Sequence, residues 1–266
     1  MGRCARRNGH CSRCERALPF DFTMAFQPIV DLQQRRVHAY EALVRGPEGE
    51  SARQVLDQVT EELLYRFDQA CRVKAIEQAS ALGMQEALSI NFLPNAVYEP
   101  EACIQATLEV SQRVGWPLKR LIFEVVESER IQDHAHLHAI ITAYRRMGFR
   151  VALDDFGTGY ANLDTLTFQQ PDKIKVDRQL VMGCDGDPRR QALLHALTVM
   201  AQPLEINLIA EGVETVEEAR WLFQAGITLQ QGYFFARPAL DALATSLEVP
   251  MAAVLDAPPP SPGAVT

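Results

Sequence analysis

From Phe22 onward the chain repeats one arrangement: a short apolar run, an amphipathic stretch, then another apolar run. The runs are FTMAFQPIVD, VHAYEALVRG, LSINFL, LIFEVVE, RVALDD, DKIKVD, NLIAEG and LQQGYFF. Helical patterns over 59–82, 95–114, 134–147, 187–201 and 216–225 lie between most of them. Strands that are apolar almost throughout are buried on both faces, so the pattern predicts a parallel sheet covered by helices. Eight such strands in about 230 residues predict an α/β fold, a TIM-like (β/α)8 barrel. The first two runs leave only DLQQRR between them, too little for a helix. They predict a hairpin, and hence a barrel with an antiparallel first strand.

The flanks read differently from this body. Residues 1–18 are rich in Arg and Cys, 19–249 carry the barrel pattern, and 250–266 are Pro-rich and predict a disordered tail. The net charge of −8 argues against DNA as a partner held by a general basic surface. No apolar run approaches the roughly 18–20 residues that a membrane span needs. The basic N-terminus lacks the apolar segment of a secretory signal. These features predict a cytoplasmic protein.

Polar residues recur at the C-terminal ends of the apolar runs. They are Glu41, Asn91, Glu124 (with Glu127 three residues on), Asp154 and Asp155, Lys175, Glu211 and Gln231. In a parallel barrel those ends converge on one face, where active sites are built. Residues distant in sequence then meet as a group of carboxylates with one amide and one lysine. One acid at a strand end is ordinarily a helix cap or a solvated loop residue. A series of them at successive strand ends is not explained by capping. Oxygen ligands without His or Cys suit hard divalent cations such as Mg²⁺ or Mn²⁺. A carboxylate shared between two such ions also explains why two aspartates stand side by side in VALDDFGTGY. Paired ions about 3.5–4 Å apart are the arrangement used for in-line phosphodiester hydrolysis.

The motifs FQPIV, EALVRG, SINFLP, FEVVES, ALDDFGTGYANL, DKIKVD, IAEGVET and QQGYFFARP resemble, in order, those of the EAL-domain cyclic di-GMP phosphodiesterases. They cover 20–247, without a GGDEF-type companion motif. The resemblance implies hydrolysis of cyclic di-GMP to linear pGpG by a metal-activated water. It assigns Glu41, Asn91, Glu124 and Asp154 to a first Mg²⁺ or Mn²⁺, and Asp154, Asp155 and Glu211 to a second. It makes Lys175 the residue that contacts the attacking water, with Gln231 supporting it. Gln27, Arg45, Asn91, Asp155 and Arg237 fall at positions that meet the dinucleotide. Glu127 matches an acid that steadies the DFGTGY loop. Inhibition by Ca²⁺ and homodimerisation are further implications. Val126 and Ala161-Asn162 depart from the usual residues, but none of them is at a ligand position. The alternative is a catalytically silent EAL module that acts as a cyclic di-GMP receptor or protein-interaction regulator. Such modules typically lack metal ligands or the lysine, and this sequence keeps all of them.

Cys4, His10, Cys11 and Cys14 form a separate cluster. Three readings stay open: a structural Zn²⁺ site, a redox-sensing group of thiols, and a disordered tail with incidental cysteines. His134 and His138, four apart on a helical stretch, read as a solvated face.

Overall fold

The first hairpin forms as its sequence predicts. In this computed structural model, β1 (Thr23–Asp31) and β2 (Arg36–Arg45) are antiparallel, with Gln27 directly opposite Glu41 and a bulge at Ile29/Val30. Five strands then follow β2 in parallel: β3 (Ala87–Phe92), β4 (Leu121–Val125), β5 (Arg150–Phe156), β6 (Lys173–Val176) and β7 (Asn207–Ala210). β8 (Leu229–Gln230) pairs in parallel with β7 and antiparallel with β1, which closes an eight-stranded barrel. A ninth strand, Ala239–Leu240, pairs with β1 outside this closure. The structure describes residues 17–93, 97, 100–125, 134–157, 166, 170–244 and 246–256, with the backbone alone of 6–7, 10–11 and 134.

The helices are α1 (Ala52–Leu56), α2 (Leu64–Ala81), α3 (Pro100–Cys103), α4 (Gln105–Val114), α5 (His134–Arg146), α6 (Arg178–Val181), α7 (Pro188–Ala201), α8 (Val216–Gln224) and α9 (Glu248–Leu255). Two depart from the sequence pattern. The expected helix at 59–82 starts only at Leu64, after a turn. The pattern at 95–114 is two helices, because the chain breaks at Ile104. α9 also corrects the expected tail. Its residues 250–255 are helical, with Met251 and Val254 buried. Pro250 lies in the first helical turn, where a missing N–H is tolerated.

Two apolar layers follow from strand alternation. Outward side chains pack against the helices around an aromatic group of Phe92, Phe123, Tyr144 and Phe149. Inward side chains form a separate belt of Ile29, Ala39, Ala87, Ile122, Ala152, Ile209 and Leu229. Because side chains repeat every two residues, the residues two places C-terminal of Ala39, Ile122, Ala152, Ile209 and Leu229 also face inward. These are Glu41, Glu124, Asp154, Glu211 and Gln231.

Candidate active site

Lys175 is the centre of the C-terminal mouth. It is 1% exposed, and its Nζ lies 2.7 Å from Glu211 Oε1, 2.8 Å from Glu124 Oε2, 3.2 Å from Asp154 Oδ1 and 3.4 Å from Glu41 Oε2. Four different strand ends supply these acids. Amides and a hydroxyl fix them in turn. Asn91 Nδ2 donates to Glu41 Oε1 at 3.0 Å, Gln231 Nε2 donates to Glu41 Oε2 at 2.8 Å, and Ser89 Oγ donates to Glu124 Oε1 at 2.6 Å. Gln27 Oε1 also accepts from Gln231 at 3.2 Å, and Gln27 Nε2 donates to the Ala236 carbonyl.

Adjacent strand residues normally point to opposite faces, so Asp154 and Asp155 face one site only if the strand is irregular. It is. Between Leu153 and Phe156 the β5–β6 register slips, with Leu153 opposite Ile174 and Phe156 opposite Val176. Three steps on β5 thus match two on β6, the signature of a bulge that re-aims a side chain. Asp155 takes φ +54°, a left-handed conformation that Asp adopts more readily than most residues. Its backbone N–H donates to Asp154 Oδ1 at 3.0 Å. Carboxylate oxygens of Asp154, Asp155 and Glu211 consequently lie within 4.8 Å of one another.

One ammonium does not balance this many acids. Burial and then Glu41 push the Glu124 carboxyl well above its ordinary range, with Asp154 and Glu211 adding and Lys175 opposing. Burial likewise pushes Glu211 up to about 8 against the pull of Lys175, with Asp154 and Glu41 adding to the rise. Asp155 is raised by burial, then by Asp154 and Asp177. Burial would raise Glu41 too, but the Lys175 charge and the bonds from Gln231 and Asn91 hold it below its usual value. Lys175 is held well above the usual lysine range by its four acids, against its burial. An acid-rich oxygen-donor set with carboxyls this reluctant to ionise fits a hard divalent cation, which would relieve the excess charge.

A cavity of about 230 Å³ opens beside the cluster, lined by Gln27, Glu41, Glu211, Gln231, Arg178 and Tyr233 among others. Its wall depends on Gly232, where a Cβ would collide with the Val213 backbone. Glu218 shapes the segment after Glu211: Oε2 accepts the N–H groups of Glu214 and Thr215, and Oε1 that of Gly183.

The predicted residues fall into three groups. Glu41, Asn91, Glu124, Asp154, Asp155, Lys175, Glu211, Gln231 and Gln27 come together. Arg237 is exposed and stacks on the cavity-lining Tyr233, with its guanidinium 4.2 Å from the ring centroid, and Arg45 Nη1 donates to the neighbouring Val44 carbonyl at 2.7 Å and contacts none of the acids. Glu127, Val126, Ala161-Asn162, Cys4 and Cys14 lie outside the described residues, as do the His10 and Cys11 side chains, so the N-terminal zinc and redox readings fall there too. His138 is exposed. Sequence reasoning missed Ser89, although its place two residues before Asn91 puts it on the inward face. It also missed Asp68 on α2, which pairs with Arg72 at 2.6 Å in the core and accepts from the Leu93 N–H at 3.2 Å, just beyond Asn91.

The family model for the EAL domain matches residues 15–238. The chain belongs to the EAL-domain family. It is 35% identical over 221 residues to the blue light- and temperature-regulated antirepressor BluF of Escherichia coli, covering 82% of this chain and 55% of that protein. It is 30% identical over 227 residues to the cyclic di-GMP phosphodiesterase NbdA of Pseudomonas aeruginosa, covering 80% of this chain and 28% of that one. The EAL chain thus spans little more than half of BluF and less of NbdA. Among solved structures, a standalone EAL protein of Vibrio cholerae O395 with c-di-GMP bound superposes with a TM-score of 0.84 at 46% identity, over 86% of this chain and 97% of that one. Klebsiella pneumoniae BlrP1 with manganese and cyclic di-GMP gives 0.79 at 36% identity, over 86% of this chain and 59% of that chain. No helix among the described residues is long and apolar enough to cross a membrane.

Proposed function

We propose that this EAL domain hydrolyses cyclic di-GMP to linear pGpG with the help of two divalent cations, Mg²⁺ or Mn²⁺. The observation that carries this reading is the convergence of four carboxylates on one buried lysine, with Asp155 turned into the site beside them by the bulge. Glu41, Asn91, Glu124 and Asp154 would hold one ion; Asp154, Asp155 and Glu211 would hold the other. When bound, such ions lower the pKa of a water and neutralise phosphate charge. The protein's own part is positional and electrostatic. Asn91, Gln231 and Ser89 fix the orientation of Glu41 and Glu124. Lys175 stays protonated at neutral pH and presents its charge where negative charge develops on the phosphate oxygens. Gln27, with Arg237 behind Tyr233, lines the approach to the cavity and supplies polar contacts for the dinucleotide.

The test is product chromatography of protein incubated with cyclic di-GMP and Mg²⁺ or Mn²⁺, with an EDTA control. Metal-dependent pGpG is the expected result. Calcium in place of these ions should inhibit, because its larger and looser shell misplaces ligands. A second reading, a cyclic di-GMP receptor without turnover, is favoured by the likeness to BluF, which is named an antirepressor. Intact substrate with measurable binding would select it.

We also infer a cytoplasmic homodimer. Leu193 and Val199 on α7 are 54% and 72% exposed, which leaves apolar area for a second copy. Light scattering that gives a monomer mass at micromolar concentration would reject the dimer.

A further inference from the structure

The N-terminal mouth of the barrel holds a second cavity, of about 350 Å³. That lies at the low end of small-molecule sites. Lys173, Arg150, Arg36 and His38 line it, together with Asn207. Lys173 sits two residues before Lys175 and so shares its inward face. It is only 3% exposed, and it makes no hydrogen bond or ion pair among the described residues. The Arg150 side chain likewise has no such partner there. His38 Nε2 is buried and unpaired.

We propose that this mouth binds a small oxyanion of the inorganic phosphate class, with the Lys173 ammonium at its floor and Arg150, Arg36 and His38 around it. An ammonium on a side chain this deeply placed is costly without an ion-pair partner, and the neighbouring acids do not remove that cost. Asp31 Oδ1 accepts the Gln34 N–H at 2.9 Å, and Asp172 Oδ2 accepts the Val151 N–H at 2.9 Å. Each gives that oxygen to the backbone, Asp172 Oδ1 lies 3.5 Å from Arg145 Nη2, and Glu205 is exposed; Asp172 and Asp31 stay beyond ion-pair distance of Lys173 and only partly offset its burial. Burial lowers the Lys173 pKa to about 8, with Arg150 pushing the same way, so the side chain is still largely cationic at pH 7. His38 is held neutral, its pKa lowered to about 3 by burial and then by Lys173, Arg36 and Arg150. Its Nε2, in the protonated tautomer, donates to an anion without adding charge. An oxyanion accepts from all of these donors at once, and charge-assisted bonds of this kind are the strong ones.

Thermal unfolding of the full chain in EDTA at pH 7 tests this, with sodium phosphate titrated against sodium chloride of equal ionic strength. Chelation removes divalent cations from the opposite mouth, and the readout needs no hydrolysis, so the outcome is independent of the proposed phosphodiesterase activity. Phosphate should raise the folded-to-unfolded ratio in proportion to one plus its concentration over Kd, about elevenfold at ten times its Kd. That corresponds to a Tm rise of about 3–6 °C. Lys173→Met should lose the response, while Lys119→Met on the exposed surface should keep it. Arg150→Gln, at an exposed position that does not threaten folding, should weaken phosphate binding at least about tenfold. A wild-type response no larger than that to chloride, or one retained in both Lys173→Met and Arg150→Gln, overturns the site.

Discussion

Lys175 and Lys173 lie two residues apart on β6, on the same face and at nearly the same depth, 1% and 3% exposed. Burial disfavours the charge on both. Yet Lys175 is held well above the usual lysine range and Lys173 falls to about 8. Depth does not decide between them. Lys175 faces four carboxylates within 3.4 Å, whereas Asp172 and Asp31 form no ion pair with Lys173 and raise its pKa too little to offset burial and Arg150. The two ends of one barrel are opposite electrostatic problems: too many acids around one cation, and a cation without an acid of its own.

Breaking the acidic end should have the largest effect. Glu41→Ala removes the carboxylate that meets Lys175, Asn91 and Gln231 together. Turnover should fall by at least about 10³-fold, more than the 10–100-fold typical of an outer-shell partner; near-wild-type turnover would show that Glu41 is no ligand. Lys175→Met should cost about 10²–10³ in kcat, with cyclic di-GMP affinity by calorimetry little changed. Equal losses in kcat and affinity would make Lys175 a scaffold residue rather than a participant.

A smaller effect comes from pH. The Glu211 pKa is about 8 in the fold, against an ordinary value of 4.5. The folded chain therefore keeps a proton that the unfolded chain releases between those values, and stability is lost as pH rises through that window. Glu124 runs the same way; the depressed Glu41 acts oppositely only at the acidic end, while His38 at about 3 and Lys173 at about 8 offset part of the loss between pH 6 and pH 8. In EDTA, Tm should drop by about 3–6 °C between pH 6 and pH 8, and Mn²⁺ should flatten the slope. A flat profile in EDTA would mean that the acids share their charge more easily than the geometry implies. Smallest of all, Lys173→Met in phosphate-free buffer should be neutral or stabilising by about 1–2 kcal/mol, since it removes a buried charge without orphaning a partner. A clear loss of stability in denaturant titration would reveal an ion-pair partner for Lys173.

The membership of the acidic mouth was legible in the sequence because alternation fixes it. Once the runs are strands, Glu41, Glu124, Asp154, Lys175 and Glu211 must share the face of the apolar belt. Asp155 was legible as a candidate ligand from the paired aspartates of VALDDFGTGY, yet strict alternation sends it to the other face. The bulge that brings it back is a relation between β5 and β6, and no pattern within β5 declares it. Lys173 shows the same limit. Its inward direction follows from DKIKVD, but its lack of a partner depends on where Asp31 and Asp172 spend their bonds. The break at Ile104 and the late start of α2 escaped because neither carries a Gly or Pro at the boundary, and packing set both.

The barrel is closed by its shortest strand. β8 contributes two residues, paired to β7 on one side and β1 on the other, whereas β1 and β2 share nine register pairs. Local opening is least costly where few ladder bonds must break. Gln231 comes directly after this seam, so each opening withdraws the amide that Glu41 and Gln27 share. The hydrogen-exchange clock of the seam and the structural integrity of the acidic mouth are therefore one clock. Amides at Leu229–Gln231 should exchange faster than those at Tyr40–Leu43, and a ligand that fixes Glu41 should slow the seam as well.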